Sequence, residues 1–245
     1  MKFSIISDIH SNYEGLTEIL KYILTEKTDY LFVCGDIIGY GPDPELCLEK
    51  IFSITDLIVK GNHEEGIITG NYSRFKKLAT ISLEWTEKKI TNYIEKIKCL
   101  PVKITFGDIT FVHACLSDPI YKYILSKKDA EREFELFSNK ICFYGHTHIP
   151  SAYKKNLKTN NVETIIPDFN GKMCFKIEDD YKYFINVGSS GQPRDGLPMV
   201  CISIYDSESK IFKLSRLNYP AEITKNKILE RGLPSSLGEK FLKGI

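Results

Sequence analysis

The sequence lacks an excess of charge of either sign, because 33 lysines and arginines nearly balance 32 aspartates and glutamates. A net charge of +1 gives no overall attraction to a nucleic-acid backbone or an anionic membrane. We therefore expect no extended nucleic-acid surface and disfavour a DNA nuclease, although a local basic patch remains compatible with this composition.

Cysteine pairs at metal-binding spacing and long apolar runs are also absent. The seven cysteines are scattered, odd in number and without a CxxC pair, which argues against a disulfide framework or a zinc ribbon. No apolar stretch approaches the roughly 20 residues that a membrane-spanning helix needs, and the first residues read as a strand rather than a signal peptide. We expect a cytoplasmic protein with no membrane partner and with most cysteines in the core.

Length and composition favour one α/β domain. The chain has 245 residues, of which 42% are hydrophobic and 27% charged, as in ordinary globular proteins. We predict a single domain over residues 1–245, in which the residues from about 221 onward form a peripheral helical tail.

The first half of the chain alternates short apolar strands with helical patterns, as the βα units of a mainly parallel sheet do. A capping-box spacing at residues 11–14 predicts the start of a helix that ends near Lys27. The other predicted elements are strands at 3–7, 30–34 and 56–60, a short helix over 44–52 and two helices over 73–100.

After Pro101 the pattern becomes that of antiparallel hairpins, which predicts a second sheet. Gly107-Asp108 forms a two-residue connection between strand-like segments. Residues 154–161 are expected to form an exposed loop or a loose hairpin. The predicted strands are 102–106, 109–112, 141–144, 183–187, 199–205 and 211–217.

All five histidines lie close to the end of an apolar strand, beside a glycine, a carboxylate, an amide or another histidine. Ligands gather beyond the carboxyl ends of strands in α/β sheets, so these segments can converge although they span 140 residues. Taken alone, such a histidine is more often a structural residue than a ligand, and such an aspartate is more often a helix cap or a turn residue. The segments are Ser7-Asp8-Ile9-His10, Gly35-Asp36, Gly61-Asn62-His63-Glu64, Val112-His113-Ala114 and Gly145-His146-Thr147-His148.

The spacing inside two segments favours a metal site. Residues i and i+2 of an extended segment point the same way, so Asp8 with His10, and His146 with His148, are expected to present two ligands each to one place. Imidazole mixed with carboxylate and amide oxygens suits first-row divalent ions such as Mn, Fe, Co, Ni or Zn. Seven candidate ligands are too many for one ion and suit two.

These segments, in this order, resemble the DxH, GDxxG, GNHD/E, lone-histidine and GHTH signature of the calcineurin-like metallophosphoesterases. The resemblance covers residues 3–196, and the loop at 188–196 is similar to a bacterial and archaeal branch of small phosphodiesterases. One departure is Ala114-Cys115 after His113, where relatives often have glycine or serine, which could alter the pocket floor.

The resemblance implies an α/β fold of two mixed β-sheets packed as a sandwich flanked by helices. It also implies two divalent metal ions with Asp36 as the bridging ligand. One ion would be held by Asp8, His10, Asp36 and His148, and the other by Asp36, Asn62, His113 and His146.

The implied reaction is attack of a metal-bridging hydroxide on phosphorus, because two ions about 3.5–4 Å apart lower the pKa of water and neutralise phosphoryl oxygens. His63 is then the candidate to supply or stabilise the proton of the leaving alkoxide. Arg194 is the candidate substrate contact, with a solvent-exposed loop arginine as the alternative. Asn12 and Tyr40 are weaker candidates, and Glu64 is expected only to support the ligands.

We therefore expect a phosphoesterase that acts on a small phosphorylated molecule, with phosphodiesters, phosphomonoesters and nucleotides all open as substrates. A protein phosphatase is disfavoured because no regulatory insertion or docking segment is visible. The contrasting hypothesis is a protein-interaction scaffold that keeps the fold and the metals but has lost catalysis. The natural substrate, the metal and the oligomeric state stay open, and a homo-oligomer is compatible with the sequence.

Overall fold

Two mixed β-sheets face each other at the centre of the structure, a computed structural model that describes residues 1–245. This confirms the predicted fold class. The strands are β1 (Lys2–Ile6), β2 (Tyr30–Val33), β3 (Lys103–Phe106), β4 (Ile109–Val112), β5 (Ile141–Tyr144), β6 (Ser151–Asn156), β7 (Val162–Ile165), β8 (Met173–Lys176), β9 (Tyr181–Asn186), β10 (Val200–Asp206) and β11 (Ile211–Leu217).

Helices cover the outer faces of both sheets. A short 3₁₀ turn at Thr91–Tyr93 precedes the fifth helix. The helices are α1 (Tyr13–Glu26), α2 (Pro44–Ile54), α3 (Asn62–Thr69), α4 (Lys77–Glu87), α5 (Ile94–Lys98), α6 (Lys127–Glu133), α7 (Ala221–Glu230) and α8 (Ser235–Lys243). None of them is long and apolar enough to cross a membrane.

The strand order places β1, β5 and β9 inside the sheets and leaves β2 and β3 at their edges. The first sheet has the order β2-β1-β10-β11-β8, with β1 and β2 parallel and the other pairs antiparallel. The second has the order β3-β4-β5-β9-β6-β7, with β4, β5 and β9 parallel. The loops after β1, β2, β4 and β5 converge at one edge of the sandwich, where they carry the histidines and aspartates of the predicted site.

Aromatic side chains fill the space between the sheets. Phe32 of the first sheet stacks on Phe111 of the second with ring centroids 3.9 Å apart, and Phe143 stacks on Phe212 at 5.8 Å. All four side chains are buried, and each such burial stabilises the fold by roughly 1.5–3 kcal/mol. This aromatic layer holds the two sheets, and so the loops at their shared edge, in one arrangement.

The start of α1 differs by one residue from the prediction. Asn12, rather than Ser11, caps the helix, because the Asn12 side chain accepts a hydrogen bond from the Gly15 amide at 2.9 Å. Ser11 has a φ of 53° and lies in the loop that follows β1. The helix ends at Glu26, followed by Lys27 in the left-handed conformation, close to the predicted end.

The predicted strand at residues 56–60 is wrong. Only Ile58 forms a bridge, to Val33, through two backbone hydrogen bonds of 3.0 Å around that residue. Because the chain turns at Gly61 into α3, the extended segment is too short to add a strand to the sheet. The sequence patterns did not predict α3. Residues 154–161 do form the hairpin alternative, within β6 and β7 and their connecting turn.

The C-terminal residues form the helix pair α7 and α8, whose apolar side chains pack against Trp85 and Leu78 of α4. Ion pairs join α7 to the body of the protein, because Lys227 and Arg231 both contact the buried carboxylate of Asp43. Five of the seven cysteines are buried, which agrees with their predicted place in the core.

Candidate metal centre and substrate cavity

His10, His148 and Asp8 form one cluster of ligand-type side chains, here called the Asp8 cluster. The Nε2 atoms of His10 and His148 lie 3.0 Å apart, and Asp8 Oδ1 lies 3.7 and 3.3 Å from them. Each imidazole donates its Nδ1 hydrogen to a backbone carbonyl, of Ile38 and of Gln192 respectively. A neutral imidazole carries one hydrogen, so both Nε2 atoms turn lone pairs toward the same point.

His113, His146 and Asn62 form the second cluster, here called the His113 cluster. His113 Nε2 lies 3.0 Å from His146 Nδ1 and 3.0 Å from Asn62 Oδ1. The opposite ring nitrogens are occupied, because His113 Nδ1 donates to the Cys34 carbonyl at 2.8 Å and His146 Nε2 to the Tyr121 carbonyl at 3.1 Å. This cluster, too, directs lone pairs at one point.

Asp36 lies between the two clusters. Its Oδ2 is 3.7 Å from His10 Nε2 and 3.4 Å from His113 Nε2. The buried Oδ1 of Asp8 has no hydrogen-bond donor. Facing lone pairs and an unpartnered carboxylate oxygen repel one another unless a cation lies among them, so these residues fit two divalent ions that share Asp36.

Burial determines the protonation preferences of these groups. It raises the pKa of the Asp8 carboxyl to about 7 and raises the pKa of Asp36 well above its usual value. It also lowers the pKa of His10, His146 and His148 well below the usual value of histidine. These three imidazoles are therefore neutral near pH 7, the form in which they bind metals.

Five of the ligand-type residues adopt left-handed backbone conformations, with φ of 54° at Asp8, 49° at His10, 53° at Asp36, 65° at His146 and 62° at His148. Such conformations cost about 1–2 kcal/mol each for residues other than glycine, and they concentrate at functional sites. The expectation that His146 and His148 reach one place as i and i+2 of an extended segment is wrong. The left-handed conformations place His146 and His148 in different clusters. Asp8 and His10 do lie in one cluster, but a turn rather than an extended segment brings them together.

Glu64 holds the loop that carries Asp36. Its carboxylate accepts hydrogen bonds from the backbone amides of Asp36 at 2.9 Å, Ile37 at 2.8 Å and Gly61 at 2.9 Å. The side chain is fully buried and stays outside both clusters. Glu64 thus connects the loop after β2 to the start of α3. This position matches the expectation that it supports the ligands.

His63 is held beside the clusters by its neighbours. Its ring packs against those of His10 and Tyr40 at centroid distances of 4.6 and 4.7 Å, and its Nε2 lies 4.0 Å from Asp36 Oδ2. The Nδ1 atom is buried without a partner. Burial lowers the pKa of His63, and the nearby positive charge of Arg194 lowers it further.

A cavity of about 570 Å³ opens over the clusters. Arg194 lies half-buried at its wall, where the guanidinium donates to Gln192 Oε1 at 3.0 Å and lies 5.4 Å from the Tyr40 ring centre. The cavity is lined by Asp36, Tyr40, Asn62, His63, Arg74, Phe75, Lys76, Lys77, Leu78, Ala79, Tyr121, Tyr123, His146, His148, Gln192, Arg194 and Lys240.

Asn12, Ala114 and Cys115 were singled out in the sequence but do not line this cavity. Asn12 is used for structure, because it caps α1 and donates from Nδ2 to the Gly191 carbonyl at 2.7 Å. Ala114 and Cys115 are buried beside His113 and lie outside the cavity lining.

Several cavity residues were missed by sequence reasoning, among them Tyr123, Gln192 and Lys240. Tyr123 stacks on His146 with centroids 3.9 Å apart, and nothing in its sequence context marks it. Gln192 could have been found, because it lies in the glycine-rich loop that contains Arg194. Lys240 comes from α8, within the segment predicted to be a peripheral tail, and no local pattern signals that it reaches the cavity.

Comparisons with known proteins relate the chain to a family of phosphoesterases. The profile described as the calcineurin-like phosphoesterase superfamily domain matches residues 1–210. An uncharacterized protein of Methanocaldococcus jannaschii is 32% identical over 249 aligned positions, which cover 98% of this chain and 97% of that protein. A metallophosphoesterase from Sphaerobacter thermophilus has a solved structure that superimposes with a TM-score of 0.89 at 31% identity, covering 100% and 99% of the two chains.

A shorter match connects the chain to enzymes named for a nucleotide substrate. The symmetrical bis(5'-nucleosyl)-tetraphosphatase of Buchnera aphidicola is 39% identical over 66 residues, which cover 26% of this chain and 24% of that enzyme.

Proposed function

The chain belongs to the calcineurin-like phosphoesterase superfamily, and on that premise we propose that it hydrolyses a phosphodiester or phosphomonoester of a small molecule with two divalent metal ions. The observation that carries this proposal is the pair of lone-pair clusters that share Asp36. Nucleotides are the first substrate class to test, because a curated relative bears the name of a dinucleoside tetraphosphatase.

The proposed metal ligands are the six residues of the two clusters and Asp36, which lies between them. Bound ions would supply Lewis acidity, which lowers the pKa of water and neutralises phosphoryl oxygens. We assign Asp8, His10 and His148 to one ion, Asn62, His113 and His146 to the other, and Asp36 to both.

His63 is proposed as the residue that serves the leaving group. When water oxygen bonds to phosphorus and the ester P–O bond breaks, the leaving alkoxide must take up a proton. His63 lies against His10 and lines the cavity without joining the proposed ligand set. Its imidazole would supply or stabilise that proton, while Arg194 on the same cavity wall would bind the nonbridging phosphoryl oxygens.

The direct test is hydrolysis of bis(p-nitrophenyl) phosphate and p-nitrophenyl phosphate by metal-stripped protein, with and without Mn²⁺, beside elemental analysis of untreated protein. Turnover restored by the metal would support the proposal, and the preferred ester would identify the reaction class. Bound metal without turnover on these esters or on a nucleotide panel would favour the scaffold hypothesis. Protein that binds no metal would overturn the ligand assignment.

A further inference from the structure

The cavity wall carries a concentration of positive charge that contrasts with the balanced charge of the whole chain. Five cationic residues line the cavity, and Asp36, at the proposed metal centre, is the sole carboxylate among the lining residues. The cations come from three separate parts of the chain: the segment entering α4, the loop after β9, and α8. They are Arg74, Lys76, Lys77, Arg194 and Lys240.

Four of these cations have no acidic partner. Arg74 is compensated, because it lies 3.8 Å from an Asp118 carboxylate oxygen. Lys76, Lys77, Arg194 and Lys240 form no salt bridge, whereas Lys243 of α8 pairs with a glutamate one turn away at 3.2 Å. Unpaired like charges around one cavity destabilise the protein through mutual repulsion, and a bound anion relieves that repulsion.

Two further observations indicate that these cations act on a common ligand. Burial lowers the pKa of Lys240, and Arg194 and Lys76 lower it further, so the three charges affect one another across the cavity. Helix α4 also begins at the cavity, with no side-chain cap and no acidic residue in its first turn, which leaves backbone amides for an anion.

Gln192 adds a buried donor without an acceptor. The Gln192 side chain is fully buried, and its Oε1 accepts from Arg194. Because a guanidinium can only donate, this contact determines which end of the amide is oxygen. The opposite end, Nε2, has no hydrogen-bond partner although it is buried. Such an unpaired donor in the lining of the cavity is satisfied when an acceptor-rich ligand binds.

We infer that Lys76 and Lys240 form a second anion subsite beside the metal centre, which binds a further phosphate group of the substrate next to the reacting phosphate that Arg194 contacts. The inference rests on the proposed function, because that function places the reacting phosphate at the two clusters. The substrate class is then a phosphate ester with two or more linked phosphates, rather than a simple diester or monoester. A cavity of about 570 Å³ lies in the size range of sites for such small molecules.

Binding to metal-stripped protein tests the subsite independently of turnover. Isothermal titration with tripolyphosphate and with orthophosphate is expected to give at least about tenfold tighter binding of tripolyphosphate, because several cations contact it at once. The double variant Lys76→Gln, Lys240→Gln should lose about tenfold of that affinity. Lys243→Gln removes the same charge from α8 outside the cavity and should bind tripolyphosphate as the parent does.

Kinetics with Mn²⁺-loaded protein give the second readout, at a fixed free metal concentration because polyphosphates chelate metals. One substrate is the γ-p-nitrophenyl ester of thymidine triphosphate, and the other is bis(p-nitrophenyl) phosphate. The ratio of kcat/KM for the first substrate to kcat/KM for the second should fall about tenfold or more in each single variant, Lys76→Gln and Lys240→Gln. The same ratio should be unchanged in Lys243→Gln. Melting temperatures of all variants confirm that they fold.

The subsite would be refuted if the cavity variants and Lys243→Gln bound tripolyphosphate equally and kept the parent's substrate ratio. Equal affinity of the parent for orthophosphate and tripolyphosphate would refute it as well. Failure of the proposed function looks different, because the Mn²⁺-loaded parent would then hydrolyse none of these esters, whatever the binding measurements show.

Discussion

His10 and His148 face each other through their Nε2 atoms at 3.0 Å, while each donates its Nδ1 hydrogen to a backbone carbonyl. No hydrogen is left to join the two neutral rings, so a bound cation would stabilise the contact. We predict that His148→Ala loses one of two bound metal equivalents and that His113→Ala loses the other. Asp36→Asn should weaken both, because this carboxylate lies between the clusters.

Elemental analysis after dialysis against buffered Mn²⁺ measures these stoichiometries. The rise in melting temperature on adding metal should shrink in each variant, since a ligand that binds the native state stabilises it by mass action. Unchanged metal content in both histidine variants would contradict the assignment of separate clusters.

For His63→Ala we predict retention of both metal equivalents and a loss of turnover by a factor of roughly 10² to 10⁴, the range for a positioned proton-transfer residue. The loss should be smaller for p-nitrophenyl esters than for alkyl esters, because p-nitrophenolate leaves without a proton. Parallel rate measurements on the two ester types check this. Equal losses on both would refute the leaving-group role, and reduced metal content would indicate that His63 is a ligand instead.

Glu64→Gln tests the support of the Asp36 loop. An amide at this position would turn a donor toward backbone N–H groups that now share a carboxylate, so we expect a loss of about 1–3 kcal/mol in the free energy of unfolding. The neighbouring Glu65→Gln is the matched control, because Glu65 makes only a partly exposed ion pair with Lys60 and should change stability by less than about 1 kcal/mol. Urea unfolding of both variants measures the difference, and equal effects would contradict the proposed role of Glu64.

Glu133 makes stability depend on pH. Burial opposes its ionisation, but hydrogen bonds from Lys122 and Ser117 outweigh burial and lower the pKa of Glu133 below its usual 4.5. A lowered carboxyl pKa stabilises the fold above the unfolded-state value, and this stabilisation is lost as the pH falls through the folded-state pKa. We therefore expect Glu133→Gln to be less stable than the parent at pH 7 by about 1–3 kcal/mol, with the difference shrinking below about pH 4.5. Urea unfolding across pH 3–7 is the measurement, and a constant difference would contradict this account.

The segments of the site could be predicted because each follows a recognisable apolar strand. Asp8, Asp36, His113 and His146 lie within three residues of the ends of strands whose boundaries the apolar patterns predicted within a residue or two. The division of the site residues between two clusters was harder to predict from the sequence. It depends on left-handed turns at His146 and His148, and tertiary contacts determine such turns at residues other than glycine. The hydrogen bond from the His146 amide to Asp8 Oδ2 at 3.0 Å is one such contact.

The remaining errors have the same origin in long-range contacts. Residues 56–60 have the composition of a strand, but the turn at Gly61 leaves only Ile58 paired. Lys240 lines the cavity although its segment contains no motif. The helix pair that carries it is joined to the body by the ion pairs of Lys227 and Arg231 with Asp43, and these residues are more than 180 positions apart in the chain. Local patterns carry no information about such pairings.

Metal titration of the stripped chain, with turnover of bis(p-nitrophenyl) phosphate and p-nitrophenyl phosphate recorded at each addition, tests the central claim most directly. The account predicts no turnover without metal and a rise in turnover that reaches its plateau as the second equivalent binds. Full turnover by protein that elemental analysis shows to be free of metal would contradict it.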